Sequence, residues 1–221
     1  MKDSSVCKDS MKVLLGAARV FASGFLLWAY TGLAEGSTNA PTDLRLDVSS
    51  STSEPLASQS TNWNVGFTVG AGFGVTALGS SVAHDLATTT LHAGKLLETE
   101  HPFFSHVELA GELWGGGQFH PESAYVVGLT PFARYHFLPK ARFTPFIDAG
   151  AGFTATDIMH PDLSTTFEFN LQAGAGFHWT LRKDVALTFQ ARYLHLSNAS
   201  IESPNHGVNS FLFSAGLTRF F

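Results

Sequence analysis

The sequence predicts an all-β protein, an eight-stranded antiparallel transmembrane β-barrel over residues 62–221. Three observations carry that expectation. From Asn62 onward the chain divides into eight segments of strand length, at about 62–74, 82–96, 104–116, 123–138, 143–155, 165–181, 185–198 and 209–221. Membrane-spanning strands need about 9–11 residues, and bacterial barrels begin at eight strands. Polar and apolar residues alternate within most of these segments, the period of a strand. The connections also differ in length. Those after the fourth and sixth segments are short and basic (Pro139-Lys-Ala-Arg142 and Arg182-Lys-Asp184), whereas those after the third, fifth and seventh (115–123, 156–164 and 198–208) are longer and polar. Short periplasmic turns and longer outer loops are the barrel pattern.

The N-terminus reads as a secretory signal peptide over residues 1–34. Lys2, Lys8, Lys12 and Arg19 precede the apolar run Val20–Tyr30, and Gly32-Leu-Ala34 offers small residues for cleavage. Met11 is an alternative start, and an N-terminal membrane anchor is the competing reading. The single cysteine, Cys7, precedes the apolar run, so the mature chain has no thiol for disulfide or zinc chemistry. Removing this segment takes away a net charge of +2 and leaves the remainder near −7 rather than −5. No Lys/Arg-rich stripe follows, which argues against nucleic acid. Residues 35–61, rich in Ser, Thr and Pro, read as a flexible lead-in.

Within the barrel, 21 glycines and 20 phenylalanines favour strand over helix. In the first segment Trp63, Val65, Phe67, Val69, Ala71 and Phe73 share one face. In the sixth, Phe167, Phe169, Leu171, Ala173, Ala175 and Phe177 oppose Glu168, Asn170, Gln172 and His178. The second segment alternates poorly. The polar set of the remaining strands includes His106, Glu108, Glu112, Arg134, His136, Asp148 and Arg192, with both signs of charge. The apolar set is larger and nearly uncharged, so it is expected to face lipid, with the charges paired in a narrow lumen.

Two patterns look chemical without being so. Gly150-Ala-Gly152-Phe-Thr-Ala155 matches a dinucleotide-binding string, but no helix periodicity follows it. The ten histidines show no HExxH-type spacing, so no metal site is expected.

The end of the seventh segment differs. Leu187, Phe189, Ala191 and Tyr193 form its lipid-facing set, and His195 and Ser197 continue it. Residues i and i+2 share a face, so both side chains point toward lipid near the outer rim. Asn209, the first residue of the last segment, continues the outward set of Phe211 and Phe213 and is expected beside Ser197. An Asn carbonyl oxygen can accept the imidazole Nδ1–H and fix its tautomer, as in Cys-His-Asn proteases, but it supplies no negative charge.

The stretch His195-Leu-Ser197-Asn198-Ala199, with Pro204-Asn205 and Gly207, resembles the signature of the lipid A 3-O-deacylase family of PagL-type acyloxyacyl hydrolases. The resemblance implies an outer-membrane esterase that removes an ester-linked 3-O acyl chain from lipid A of lipopolysaccharide in the outer leaflet. It makes Ser197 the nucleophile and His195 the general base, and its acid position falls on Asn209. Asn198 is the candidate for oxyanion support, and Glu202 is a possible substitute acid. No metal or organic cofactor is implied, and a homodimer is compatible with the reading. The alternative is a non-enzymatic structural or adhesive barrel that keeps a degenerate Ser/His site, and Asn209 in place of an acid favours it. On the enzymatic reading, a carboxylate at position 209 is expected to hold or raise activity.

Overall fold

The computed structural model describes residues 62–139 and 141–221; the expected signal peptide and lead-in lie outside them. The described residues form β1 (Trp63–Gly74), β2 (Asp85–Leu96), β3 (Val107–His120), β4 (Ala124–His136), β5 (Phe143–Thr156), β6 (Phe167–Arg182), β7 (Val185–Ser197) and β8 (Val208–Phe220). Each strand pairs antiparallel with its sequence neighbours. β1 pairs with β8 from Asn64↔Phe220 to Gly74↔Ser210, so the barrel closes and no edge is left open. With the short turns taken as periplasmic, residues 75–84, 121–123, 157–166 and 198–207 form the four outer loops.

The third strand departs most from the sequence reading, and the second starts three residues later than expected, at Asp85. The third strand starts at Val107, after a short 3-10 turn (Phe104–His106), and runs to His120. Gly115-Gly-Gly117 therefore lies inside a strand and not in a long loop. Glycine reads as a breaker, yet this run is laddered on both sides, with Ala87–Thr89 of β2 and Tyr125–Val127 of β4. His106, expected in the lumen, lies in the 3-10 turn, its ring 5.6 Å from that of Tyr135 on the outer wall.

Alternation places the apolar set outside. Leu113, Leu129, Ile147, Leu171 and Phe213 are each about half exposed, as a lipid-facing wall requires. The lumen is filled in two layers. In the middle, Arg192 donates to Glu112 Oε2 and Asp148 Oδ2, both at 2.6 Å, and Arg134 donates to Asp148 Oδ2 at 3.0 Å. His92 lies between Glu108 (2.8 Å) and Glu112 (3.1 Å), and the arginines stack over Phe132 and Phe146. The charges are buried and mutually paired, as side-chain filling of an eight-stranded barrel dictates. Arg192→Ala would remove one of the two arginines that balance Glu108, Glu112 and Asp148, leaving Glu112 with His92 and Asp148 with Arg134, and should cost about 3–5 kcal/mol. Urea unfolding in detergent should read that loss as a lowered midpoint; an unchanged midpoint would deny the network a stabilising role.

Toward the outer mouth the lumen turns apolar. Leu86, Trp114, Val126, Leu194, Leu196 and Val208 form a buried cluster with Ile158 and Leu163 of the third outer loop. Trp114 lies over Gly128, where a Cβ would fall 2.5 Å from the indole, and its Nε1–H donates to Thr130 Oγ1 at 3.0 Å. The third loop therefore closes the mouth as a plug, which leaves the chemistry-bearing residues of β7 and β8 on the outer wall.

Candidate active site

Strand periodicity fixes the placement of the first two residues. Leu194 and Leu196 point into the buried cluster, so His195 and Ser197 point outward and are half-buried at the rim. Residues two apart on a strand lie about 6.6 Å apart at Cα, within reach of an imidazole that turns toward its neighbour. No hydrogen bond joins Ser197 to His195 among the described residues, and such bonds tighten when substrate binds.

Register brings in the third residue. His195 pairs directly with Asn209 across the β7–β8 ladder, and directly opposed residues share a face. His195 Nδ1 lies 2.7 Å from Asn209 Oδ1. The amide orientation follows from its other end: Asn209 Nδ2 donates to the Ala77 carbonyl at 2.8 Å, and a carbonyl can only accept. Oδ1 therefore faces the ring, Nδ1 carries the proton, and Nε2 is left with its lone pair free to accept one. The Tyr193 hydroxyl also donates to Asn209 Oδ1, at 2.6 Å.

Asn209 belongs to the outward set but is completely buried, because the first outer loop folds over it. Ala77 covers its amide, and the Val75 N–H donates to its backbone carbonyl at 2.9 Å. Asn198 follows Ser197 immediately. Its N–H donates to Asn205 Oδ1 at 2.9 Å, and its side-chain amide donates to the Glu202 carbonyl (3.0 Å) and Ser164 Oγ (3.2 Å). Ala199 and Ser200 then take left-handed backbone conformations, with φ of 54° and 65°, that turn the fourth loop back on itself. Glu202 is exposed, and the proton on His195 Nδ1 is already accepted by Asn209.

A sequence profile described as lipid A 3-O-deacylase (PagL) matches residues 87–218, more than half of the chain. The chain belongs to that family. It is an outer-membrane barrel, and the match ends within β8 after taking in His195, Ser197 and Asn209. The lipid A deacylase PagL of Pseudomonas aeruginosa is 29% identical over 101 residues, 44% of this chain. The alignment spans 55% of that relative, so the chain covers about half its length. Two solved structures share the barrel. The crystal structure of the outer membrane enzyme PagL superposes with a TM-score of 0.56 at 18% identity, over 72% of this chain and 99% of that one. Neisserial surface protein A superposes with a TM-score of 0.54 at 16% identity, over 73% and 98%. At those identities the likeness speaks for the fold alone.

Sequence reasoning did not find Tyr193 or the first loop's part in the site. Tyr193 carried a signal, since it stands two residues before His195 on the same face, but its place in the outward set read as lipid contact. Ala77 acts through its backbone carbonyl, which leaves no mark in the sequence.

Proposed function

We propose that this family member hydrolyses the ester-linked 3-O acyl chain of lipid A in the outer leaflet, by a Ser/His mechanism supported by asparagine. The observation that carries the reading is the 2.7 Å contact between His195 Nδ1 and Asn209 Oδ1 on the outward wall of the rim. It leaves Nε2 as the base on the side from which a lipid ester arrives.

Ser197 Oγ attacks the ester carbonyl while His195 Nε2 takes its proton. The tetrahedral intermediate collapses, the acyl–sugar bond breaks, and the imidazolium returns the proton to the leaving 3-hydroxyl. Water, activated by the same ring, then hydrolyses the acyl-serine and releases the fatty acid. Asn209 holds the ring's tautomer and plane throughout. Asn198 is the candidate for oxyanion support; to serve, its side-chain amide exchanges the longer of its two bonds, to Ser164 Oγ, for the oxyanion. Phe169, the cross-strand partner of Ser197, leads into the outward aromatic group of Phe153 and Phe167, an apolar bed for the acyl chain beside the nucleophile.

The second reading, a barrel with a degenerate site, draws on one observation: the third member of the site is an amide without charge. Mass spectrometry of lipid A from cells with and without the protein separates the two. Deacylation predicts loss of one ester-linked acyl mass and appearance of the free fatty acid. Identical lipid A in both, with the barrel present in outer membranes, would leave the non-enzymatic reading standing.

A further inference from the structure

We infer that Asp162 is a positioning residue for this site, a buried carboxylate in the third outer loop that holds both backbone walls around His195 and Asn209. The inference rests on the Ser/His reading above.

Asp162 is completely buried, beside the apolar plug. A carboxylate there costs several kcal/mol unless its lone pairs are met. Four donors from the first loop meet them. Oδ1 accepts from the Ser81 N–H at 2.8 Å and the Ser81 hydroxyl at 2.7 Å, and Oδ2 accepts from the Val82 N–H at 3.1 Å and His84 Nε2 at 2.9 Å. His84 is itself fixed, its Nδ1 lying 2.6 Å from Gln118 Oε1. The Asp162 backbone carbonyl accepts from the His206 and Gly207 N–H groups of the fourth loop, at 2.9 and 3.2 Å.

Each set of bonds ends against the reacting pair. On one side, Ser81 adjoins the turn closed by the Ser80 N–H on the Ala77 carbonyl, the same carbonyl that anchors the Asn209 amide. On the other, Gly207 lies against the His195 ring. Its φ of 80° suits glycine, and a Cβ there would stand 2.8 Å from His195 Cε1. Asp162 therefore sets where the Asn209 amide points and how far the ring can swing. An acceptor-only group suits the task, because an amide cannot receive four donors.

Burial pushes the Asp162 carboxyl up, but the bonds from Ser81, His84 and Val82 pull it down further, to a net position below the usual aspartate range. Its contribution is therefore complete above the ordinary aspartate pKa and is lost only as pH falls through the lowered folded value. The clamp stays charged wherever a histidine base can work.

The test is Asp162→Asn in the full chain, folded in detergent and assayed on lipid A. Because misplacement by about 1 Å can cost 10²-fold, kcat should fall about 10- to 100-fold with KM nearly unchanged. The double variant with Asn209→Ala should be no slower than Asn209→Ala alone, since both act through the His195 ring. Nitrogen-15 NMR of that ring should show a single Nδ1–H tautomer in the wild type and a mixture in Asp162→Asn. Wild-type kcat, a loss that multiplies with Asn209→Ala, or an unmixed tautomer would each overturn the inference. If Asp162→Asn does not fold, Ser81→Ala removes one donor and should lower kcat several-fold with the same tautomer mixing; no change there overturns it equally. Ser197→Ala runs alongside: activity surviving in it defeats the hydrolase reading itself, whereas an inert Ser197→Ala with a normal Asp162→Asn defeats only the clamp. Should the wild type prove inert, the NMR arm still decides the positioning.

Discussion

Ser197→Ala and His195→Ala are each expected to reduce release of the fatty acid to background while the barrel folds normally. In a serine protease, loss of either member costs about 10⁶-fold, and losing both costs hardly more. The double variant here should likewise be no slower than either single one. Neither substitution disturbs the fold. Ser197 is the last residue of β7, with its side chain directed outward, and alanine deletes only its hydroxyl. When His195 is removed, Asn209 Oδ1 still accepts the Tyr193 hydroxyl, so no buried acceptor is orphaned. Heat-modifiable migration on gels checks folding, and chromatography of released fatty acid checks the chemistry. A Ser197→Ala protein working at the wild-type rate would remove serine from the mechanism.

The second large effect belongs to position 209. Asn209→Ala removes the acceptor shared by His195 and Tyr193 and the donor to Ala77 at one stroke. An uncontrolled tautomer at the corresponding place in a serine protease costs about 10⁴-fold, and a loss approaching that is expected here. The charged replacement is expected to do less than the sequence alone suggests. Asn209→Asp keeps an acceptor for His195 and adds charge to stabilise the imidazolium. Its second oxygen, however, would meet the Ala77 carbonyl where an N–H now donates at 2.8 Å, setting two acceptors against each other. Activity is therefore expected in the order wild type, Asn209→Asp, Asn209→Ala. Asn209→Asp faster than wild type would show that the first loop yields, and that the site lacks charge more than it needs the amide. Glu202→Gln should be silent, because Glu202 is exposed and its ordered contact to Asn198 is made by the backbone carbonyl. A crippled Glu202→Gln beside a normal Asn209→Ala would move the third role to Glu202.

What the sequence made legible follows period two. Alternation located most of the eight strands and put His195 and Ser197 on the outer face, and the last hairpin brought Asn209 to the same rim. Period two fails where one residue type serves two purposes. Gly115-Gly-Gly117 has the composition of a turn but pairs as a strand, and Leu194 and Leu196 are lumen residues that follow the polar lumen run Thr188, Gln190 and Arg192 on the same strand. The cover over the site was illegible for a different reason. Ala77 meets Asn209 across 132 residues of sequence, and Asp162 meets Ser81 across 81. Such contacts are made by irregular loops, and loops carry no periodicity from which a partner can be inferred. A lone aspartate before a run of Leu, Ser and Thr looks like any solvated loop residue until three loops close around it.

The plugged lumen and the outward pair together change what concentration means for this protein. Nothing approaches Ser197 through the barrel, and a molecule that reaches it from the lipid side travels within a sheet two molecules thick. Encounter is then counted per unit of area: the rate depends on what fraction of the surrounding leaflet is substrate, not on how much substrate a litre contains. On the proposed function the substrate resides in that leaflet, so lateral order, the ease with which one lipid leaves its neighbours and turns its ester toward the wall, is the variable expected to set turnover.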